Sequence, residues 1–106
     1  MPSNVICSTR FGLTPTQYQQ LVKWVLQDTR VQRAWIFGSR ALGTFKDGSD
    51  IDLALEGEAL TLHDIAMMLA NLEQSTLPFK VDLLLKEHIG SPELLAHIRQ
   101  HGVQVK

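Results

Sequence analysis

The sequence is poor in cysteine and contains no long apolar run. Cys7 is the only cysteine among the 106 residues, so no internal disulfide can form, and the chain alone cannot build a cysteine-based zinc cluster. No segment approaches the roughly 20 apolar residues that a membrane helix requires. The opening Met-Pro-Ser-Asn lacks the basic start and apolar stretch of a signal peptide. We therefore expect a cytoplasmic protein that does not enter a membrane.

The chain also lacks an excess of positive charge. The formal net charge is −1, and the lysine and arginine residues are dispersed along the sequence. A domain that binds duplex nucleic acid normally carries a basic stripe that displaces counterions from phosphates. Nucleic acid is therefore not expected as the main partner. The histidines show no zinc-protease spacing; His97 and His101 are one helical turn apart, but no further ligand is near them in sequence.

The composition is that of one soluble globular domain. Apolar residues make up 44% and charged residues 20%, close to the globular average, and 106 residues allow a single core. We predict an N-terminal extension over residues 1–13 and one domain over residues 14–106. Turn and cap signals divide that domain into helices near 14–30, 39–42, 61–76 and 91–101, and strands near 33–37, 50–55 and 79–85. Residues 103–105 could add an edge strand.

The predicted fold is α/β in the order αβ(α)βαβα, with one sheet covered by helices. Short connections between strands suit antiparallel pairing, and the longer helical connection suits parallel pairing, so we expect a mixed sheet. Trp24 and Met67 lie off the apolar stripes of their helices, which makes them candidate contact residues for a partner.

Three aspartates are predicted to share one face of the sheet. Because side chains alternate along a strand, Asp50 and Asp52 stand side by side, and Asp82 joins them if the apolar faces of the two strands align. Clustered carboxylates repel each other unless a cation neutralises them, and Mg²⁺ prefers such oxygen ligands. Two ions about 4 Å apart could bridge the attacking and leaving oxygens in phosphoryl-group transfer. The alternatives are a solvated strand face and ion pairs with Arg33 or Lys80.

A glycine–serine turn, Gly38 and Ser39, follows the first strand. Glycine lets the backbone approach a ligand closely, and the serine can offer its hydroxyl and its amide to an anion. This turn is a candidate phosphate-binding element, although Gly-Ser is also a common ordinary turn. Arg40 and Lys46 could add positive charge beside this turn.

The segment from Gly38 through Asp52 resembles the G-S-x₁₀-D-x-D signature of the DNA polymerase beta-like nucleotidyltransferases, and Val81-Asp82-Leu83 is similar to the element that carries the family's third acidic residue. The resemblance implies that Gly38 and Ser39 contact the triphosphate. It also implies that Asp50 and Asp52 hold both metals, and that Asp82 holds the catalytic metal and helps to deprotonate the acceptor. Many small members carry a basic residue at the position of Leu42, so any contact made from there is not expected here.

The chain resembles the stand-alone minimal nucleotidyltransferases (MNT proteins) that work with a separate helical HEPN protein. This implies an antitoxin that uses Mg²⁺ and ATP, or another nucleoside triphosphate, to transfer AMP to a hydroxyl, with a tyrosine of the HEPN toxin as acceptor. The alternative is a non-catalytic nucleotide-binding antitoxin or regulatory subunit that neutralises its helical partner by contact. Either function predicts a hetero-oligomer.

Overall fold

A computed structural model describes residues 10–46 and 48–106. Within these residues the chain forms a four-stranded sheet and four helices. The strands are β1 (Arg33–Phe37), β2 (Ile51–Glu56), β3 (Val81–Leu85) and β4 (Val103–Gln104). The helices are α1 (Pro15–Leu21, continued by a π-helical segment, Val22–Leu26), α2 (Ser39–Leu42), α3 (Leu62–Glu73) and α4 (Pro92–His101), with 3₁₀ turns at Arg10–Gly12 and Lys86–His88. The predicted α/β class is confirmed.

The sheet is mixed, in the order β3-β2-β1-β4. Strand β1 is antiparallel to both β2 and β4, whereas β2 and β3 are parallel. The parallel pair is the one connected through α3, as a helical crossover requires. The expected edge strand is present as β4, so the sheet has one strand more than the three main ones predicted.

The main core lies between one face of the sheet and helices α1 and α3. The sheet contributes alternating buried residues of β2 and β3, and the helices contribute their apolar stripes. The principal members are Leu21, Val25, Ile51, Leu53, Leu55, Ile65, Met68, Leu72, Leu83 and Leu85. Helix α4 covers part of the opposite face, where Phe37, Ala54 and Ile98 are buried together. The odd-numbered residues of β2 therefore face the main core, and the even-numbered residues face the side of α4.

Helix α1 begins as its sequence predicts but ends differently. The side chain of Thr14 and that of Gln17 form the predicted capping box, with Pro15 in the first turn. The helix then widens into the π-helical segment, which ends at Leu26 rather than near residue 30. Leu26 is buried in the core, whereas the predicted stripe residue Thr29 is exposed.

Other boundaries shift by a few residues. Helix α3 ends at Glu73, before the predicted end near residue 76, where the Ser75 hydroxyl donates a 2.6 Å hydrogen bond to the Leu72 carbonyl. Strand β3 begins at Val81 rather than at residue 79. The predicted extension of residues 1–13 lies mostly outside the described residues, but Leu13 is buried in the main core. No helix in the described part of the chain is long and apolar enough to cross a membrane.

Candidate nucleotide-binding and catalytic site

The carboxylate cluster, Asp50, Asp52 and Asp82, lies at the ends of two neighbouring strands. Asp52 pairs in register with Asp82 across the parallel strands β2 and β3, so their side chains share the sheet face on the side of α4. Asp50 directly precedes β2 and is exposed, whereas Asp52 and Asp82 are half-buried. The strand alternation expected from the sequence therefore brings Asp52 and Asp82 together, with Asp50 at the solvent edge.

The electrostatics of the cluster centre on Asp52. Burial raises the pKa of the Asp52 carboxyl, the charges of Asp82 and Asp50 raise it further, and a side-chain hydrogen bond with Asp82 acts in the same direction. The nearby His97 opposes this shift. A raised carboxyl pKa means that the ionised form of Asp52 is disfavoured here. A cation placed among the three carboxylates would remove the repulsion and restore the ionised form.

The donor chemistry of the cluster suits Mg²⁺, although the ligands do not form a closed cage. Within residues 10–46 and 48–106, no three histidine, aspartate or glutamate side chains form a ready-made metal-binding group. Mg²⁺ takes oxygen ligands and is normally held by one or two carboxylates, with water and substrate phosphates completing its shell. Asp52 and Asp82 supply such a pair, and Asp50 is close enough to act on the pKa of Asp52. The residues present fit an ion that is bound together with a nucleotide.

The glycine–serine turn lies against the carboxylate cluster. Strand β1 ends at Phe37, which pairs with Asp52, and Gly38 follows with φ 76° and ψ −153°. A Cβ atom at position 38 would lie 2.5 Å from Oδ2 of Asp52, so any larger residue would have to displace this carboxylate. Ser39 then begins helix α2. The structure therefore joins the turn and the carboxylates in one site.

Arg40 takes a different place from the one expected for a nucleotide ligand. Its side chain is buried, with 4% of its surface exposed. The guanidinium donates two hydrogen bonds to the carbonyl of Ser49, at 2.8 and 3.1 Å, and one to the carbonyl of Phe11 at 2.8 Å. It also lies over the ring of Phe79, 4.5 Å from the centroid. Arg40 is thus committed to interior contacts, and by holding Ser49 it fixes the backbone next to Asp50.

His97 is a site residue that the sequence reasoning missed. It lies on α4, and its Nε2 accepts a 3.2 Å hydrogen bond from the backbone N–H of Gly38. Its ring meets Phe37 edge-on at a centroid distance of 6.1 Å and is 5.3 Å from the ring of His101. Sequence spacing indicated only the relation of His97 to His101. The contact with Gly38 spans 59 positions, and no local pattern signals it.

Leu42 is at the end of α2 and is 48% exposed. Its apolar side chain cannot supply the positive charge that many small members of the resembled family have at this position. Lys46 is also exposed, and its backbone N–H bonds to the Ser49 hydroxyl at 2.8 Å. Neither residue adds a charged contact to the carboxylate cluster.

Residues 19–106 match the family described as Polymerase beta, Nucleotidyltransferase. The match covers most of the chain and includes Gly38, Ser39, all three aspartates and His97. The chain therefore belongs to the nucleotidyltransferase family, as its sequence signature indicated.

Solved structures with this fold include toxin–antitoxin systems. The crystal structure of a toxin–antitoxin with AMP-PNP superposes with a TM-score of 0.68 at 24% identity, over 83% of this chain and 71% of the other. The MntA-HepT toxin–antitoxin gives a TM-score of 0.61 at 21% identity, over 83% and 68%. A putative nucleotidyltransferase from Sulfolobus solfataricus gives 0.50 at 17%, over 96% and 82%. At such identities the similarity shows the shared fold. No curated protein matches the sequence significantly.

Proposed function

We propose that this nucleotidyltransferase domain transfers AMP from Mg²⁺-ATP to a tyrosine hydroxyl of a helical HEPN toxin, and so acts as an antitoxin. The observation that carries the proposal is the meeting of the glycine–serine turn with Asp52 and Asp82 at the ends of β1, β2 and β3. The fold shared with toxin–antitoxin structures, one of them with AMP-PNP, supports the choice of nucleotide and partner.

In this proposal Gly38 and Ser39 hold the triphosphate, and the carboxylates of Asp50, Asp52 and Asp82 hold Mg²⁺. When bound, Mg²⁺ supplies positive charge that offsets the charge on the phosphates during transfer. The acceptor hydroxyl oxygen forms a bond to the α-phosphorus, and the bond from that phosphorus to the bridging oxygen breaks. Pyrophosphate leaves with the electron pair, and the hydroxyl proton passes to the carboxylate of Asp82.

The position of the site constrains how the acceptor approaches. Trp24 and Met67, the candidate partner contacts, both line a cleft of about 360 Å³ between α1 and α3. That helical layer lies on the face of the sheet opposite the carboxylate cluster. A segment bound in this cleft is separated from the carboxylates by the sheet. In this proposal the acceptor tyrosine reaches the carboxylates from the side of α4.

The test is transfer of radioactive AMP from α-³²P-ATP to a helical protein, sought first among the products of the genes adjacent to this one. We expect Mg²⁺-dependent label on a partner tyrosine and a loss of at least about a hundredfold for Asp82→Asn. Glu58→Gln is the matched control, because Glu58 is an exposed carboxylate beyond the opposite end of β2. A stable complex with an unlabelled partner would instead indicate neutralisation by contact. No complex and no label would refute both functions.

Ser39→Ala separates nucleotide binding from chemistry. Binding is measured by calorimetry with Mg²⁺ and α,β-methylene-ATP, whose α–β bridge cannot be cleaved. Loss of one charge-assisted hydrogen bond to phosphate should weaken binding by about tenfold with little change in melting temperature. Wild-type affinity in this variant would remove Ser39 from the proposed site.

A further inference from the structure

The last helix makes a polar contact with the glycine–serine turn that the chemistry described above does not use. The N–H of Gly38 belongs to the peptide that leaves β1, and its acceptor is Nε2 of His97 on α4. In this hydrogen bond Nε2 is the acceptor, which leaves Nδ1 as the nitrogen that carries the N–H. The ring itself is half-buried and packs edge-on against Phe37.

This hydrogen bond acts at a point where the backbone has unusual freedom. Glycine reaches positive and negative φ with similar ease, so Gly38 has no intrinsic preference for its observed φ of 76°. At Gly38 the turn also comes close to Asp52, since a Cβ atom there would lie 2.5 Å from its Oδ2. A fixed acceptor on a ten-residue helix selects one of the available conformations.

We infer that His97 is a positioning residue of the nucleotide site: its Nε2 holds Gly38 in the conformation that places Ser39 beside the carboxylate cluster. The expected effect on nucleotide affinity rests on the proposed function, whereas the effect of His97 on the conformation of Gly38 does not. A preformed turn has less freedom to lose when the triphosphate binds, and this strengthens binding without a direct contact from His97.

A purely structural role for the ring is the competing explanation, and two substitutions separate it from the inference. His97→Phe keeps an aromatic ring against Phe37 and removes the acceptor. His97→Gln removes the ring, and its side-chain amide oxygen can reach the position of Nε2. If the acceptor matters, the glutamine variant resembles wild type; if the ring matters, the phenylalanine variant does.

Two readouts are measured on the intact chain: hydrogen exchange of the Gly38 amide by NMR without nucleotide, and affinity for Mg²⁺ and α,β-methylene-ATP. For His97→Phe we expect Gly38 exchange to accelerate and affinity to fall, each by about five- to tenfold, as loss of one hydrogen bond implies. His97→Gln should recover both to within about twofold of wild type. His101→Phe is the control, since it changes the neighbouring ring without touching Gly38, and should behave as wild type.

Wild-type exchange and affinity in His97→Phe would overturn the inference, as would equal losses in the phenylalanine and glutamine variants. If the phenylalanine variant does not fold, His97→Asn replaces it, because its shorter amide cannot reach the position of Nε2. If wild type binds no nucleotide, the proposed function fails, and Gly38 exchange alone then decides whether His97 holds the turn.

Discussion

Gly38→Ala is a severe test of the site geometry, because it perturbs the backbone and a carboxylate with one methyl group. The backbone at Gly38, with φ 76° and ψ −153°, occupies a region that is essentially restricted to glycine. The added Cβ would also lie 2.5 Å from Oδ2 of Asp52, a separation at which one of the two groups must move. The substitution therefore strains the turn and displaces a carboxylate from the proposed metal site.

The expected destabilisation is about 2 kcal/mol from the backbone alone, within the usual range for such strain. For a domain of this size each kcal/mol lowers the melting temperature by about 4–8 °C, so we expect a fall of about 8–16 °C in chelator. Gly43→Ala is the matched control: its φ of 79° and ψ of 12° are left-handed, and a Cβ there has no atom within 4 Å. That control should cost about 1 kcal/mol and leave nucleotide binding intact.

A double-mutant cycle isolates the contact with Asp52. When position 52 is alanine, the nearest atom to a methyl group added at position 38 is the Cβ atom of residue 52. The two atoms would be 3.7 Å apart, which is an ordinary contact. Adding Gly38→Ala to Asp52→Ala should therefore cost less than adding it to wild type, with a coupling of about 1 kcal/mol in thermal or urea unfolding. Strict additivity, or a Gly38→Ala variant as stable as Gly43→Ala, would refute the close approach.

Substitutions of three charged side chains, Asp52, Arg40 and Asp28, give further predictions. Asp52→Asn should raise the melting temperature in chelator at pH 7, because the raised pKa of Asp52 means that its ionised form opposes folding; an unchanged or lower value would contradict this. Arg40→Lys should lower the free energy of unfolding in urea by about 2–3 kcal/mol, because an ammonium cannot make the two hydrogen bonds that the planar guanidinium donates to the Ser49 carbonyl. A decrease below about 0.5 kcal/mol would argue against the buried contact. The hydrogen bond from Arg30 lowers the pKa of Asp28 from 3.8 to about 2. The ionised carboxylate therefore stabilises the fold at pH values above its unfolded pKa, and this stabilisation is lost as the pH falls from about 4 to about 2. Asp28→Asn should flatten the acid unfolding curve in that interval, and an unchanged curve would exclude the contribution.

The strands and the site aspartates could be predicted because their signals are local. Alternation along β2 fixes which residues face the core, and the same alternation in β3 assigns Asp82 to the face of Asp52. The turn at Gly38 was visible because its spacing to Asp50 and Asp52 forms a family signature. Mixed pairing followed from the lengths of the connections. Each inference required only residues within one or two neighbouring elements.

The roles of Arg40 and His97 could not be predicted, because both depend on contacts between distant segments. Arg40 follows the glycine–serine turn in sequence, and its charge suggested a phosphate ligand. Its partners are Phe11, in the 3₁₀ turn at Arg10–Gly12, and Ser49, in the connection before β2, and no periodicity in the sequence defines where either lies. The widening of α1 into a π-helix was equally hidden, since an apolar stripe at ordinary helical spacing contains no sign of an inserted residue.

Asp52 is the residue through which the parts of this site are coupled. On one side it meets the turn at Gly38, which His97 holds from α4, and on the other it pairs with Asp82. Burial and the neighbouring charges raise its pKa, so a cation that binds the carboxylates also changes the protonation of a group in contact with the turn. If the proposed function holds, metal affinity, turn geometry and nucleotide affinity are therefore linked. Substitutions at Gly38 and Asp82 should each be non-additive with substitutions at Asp52, because each pair shares a direct contact.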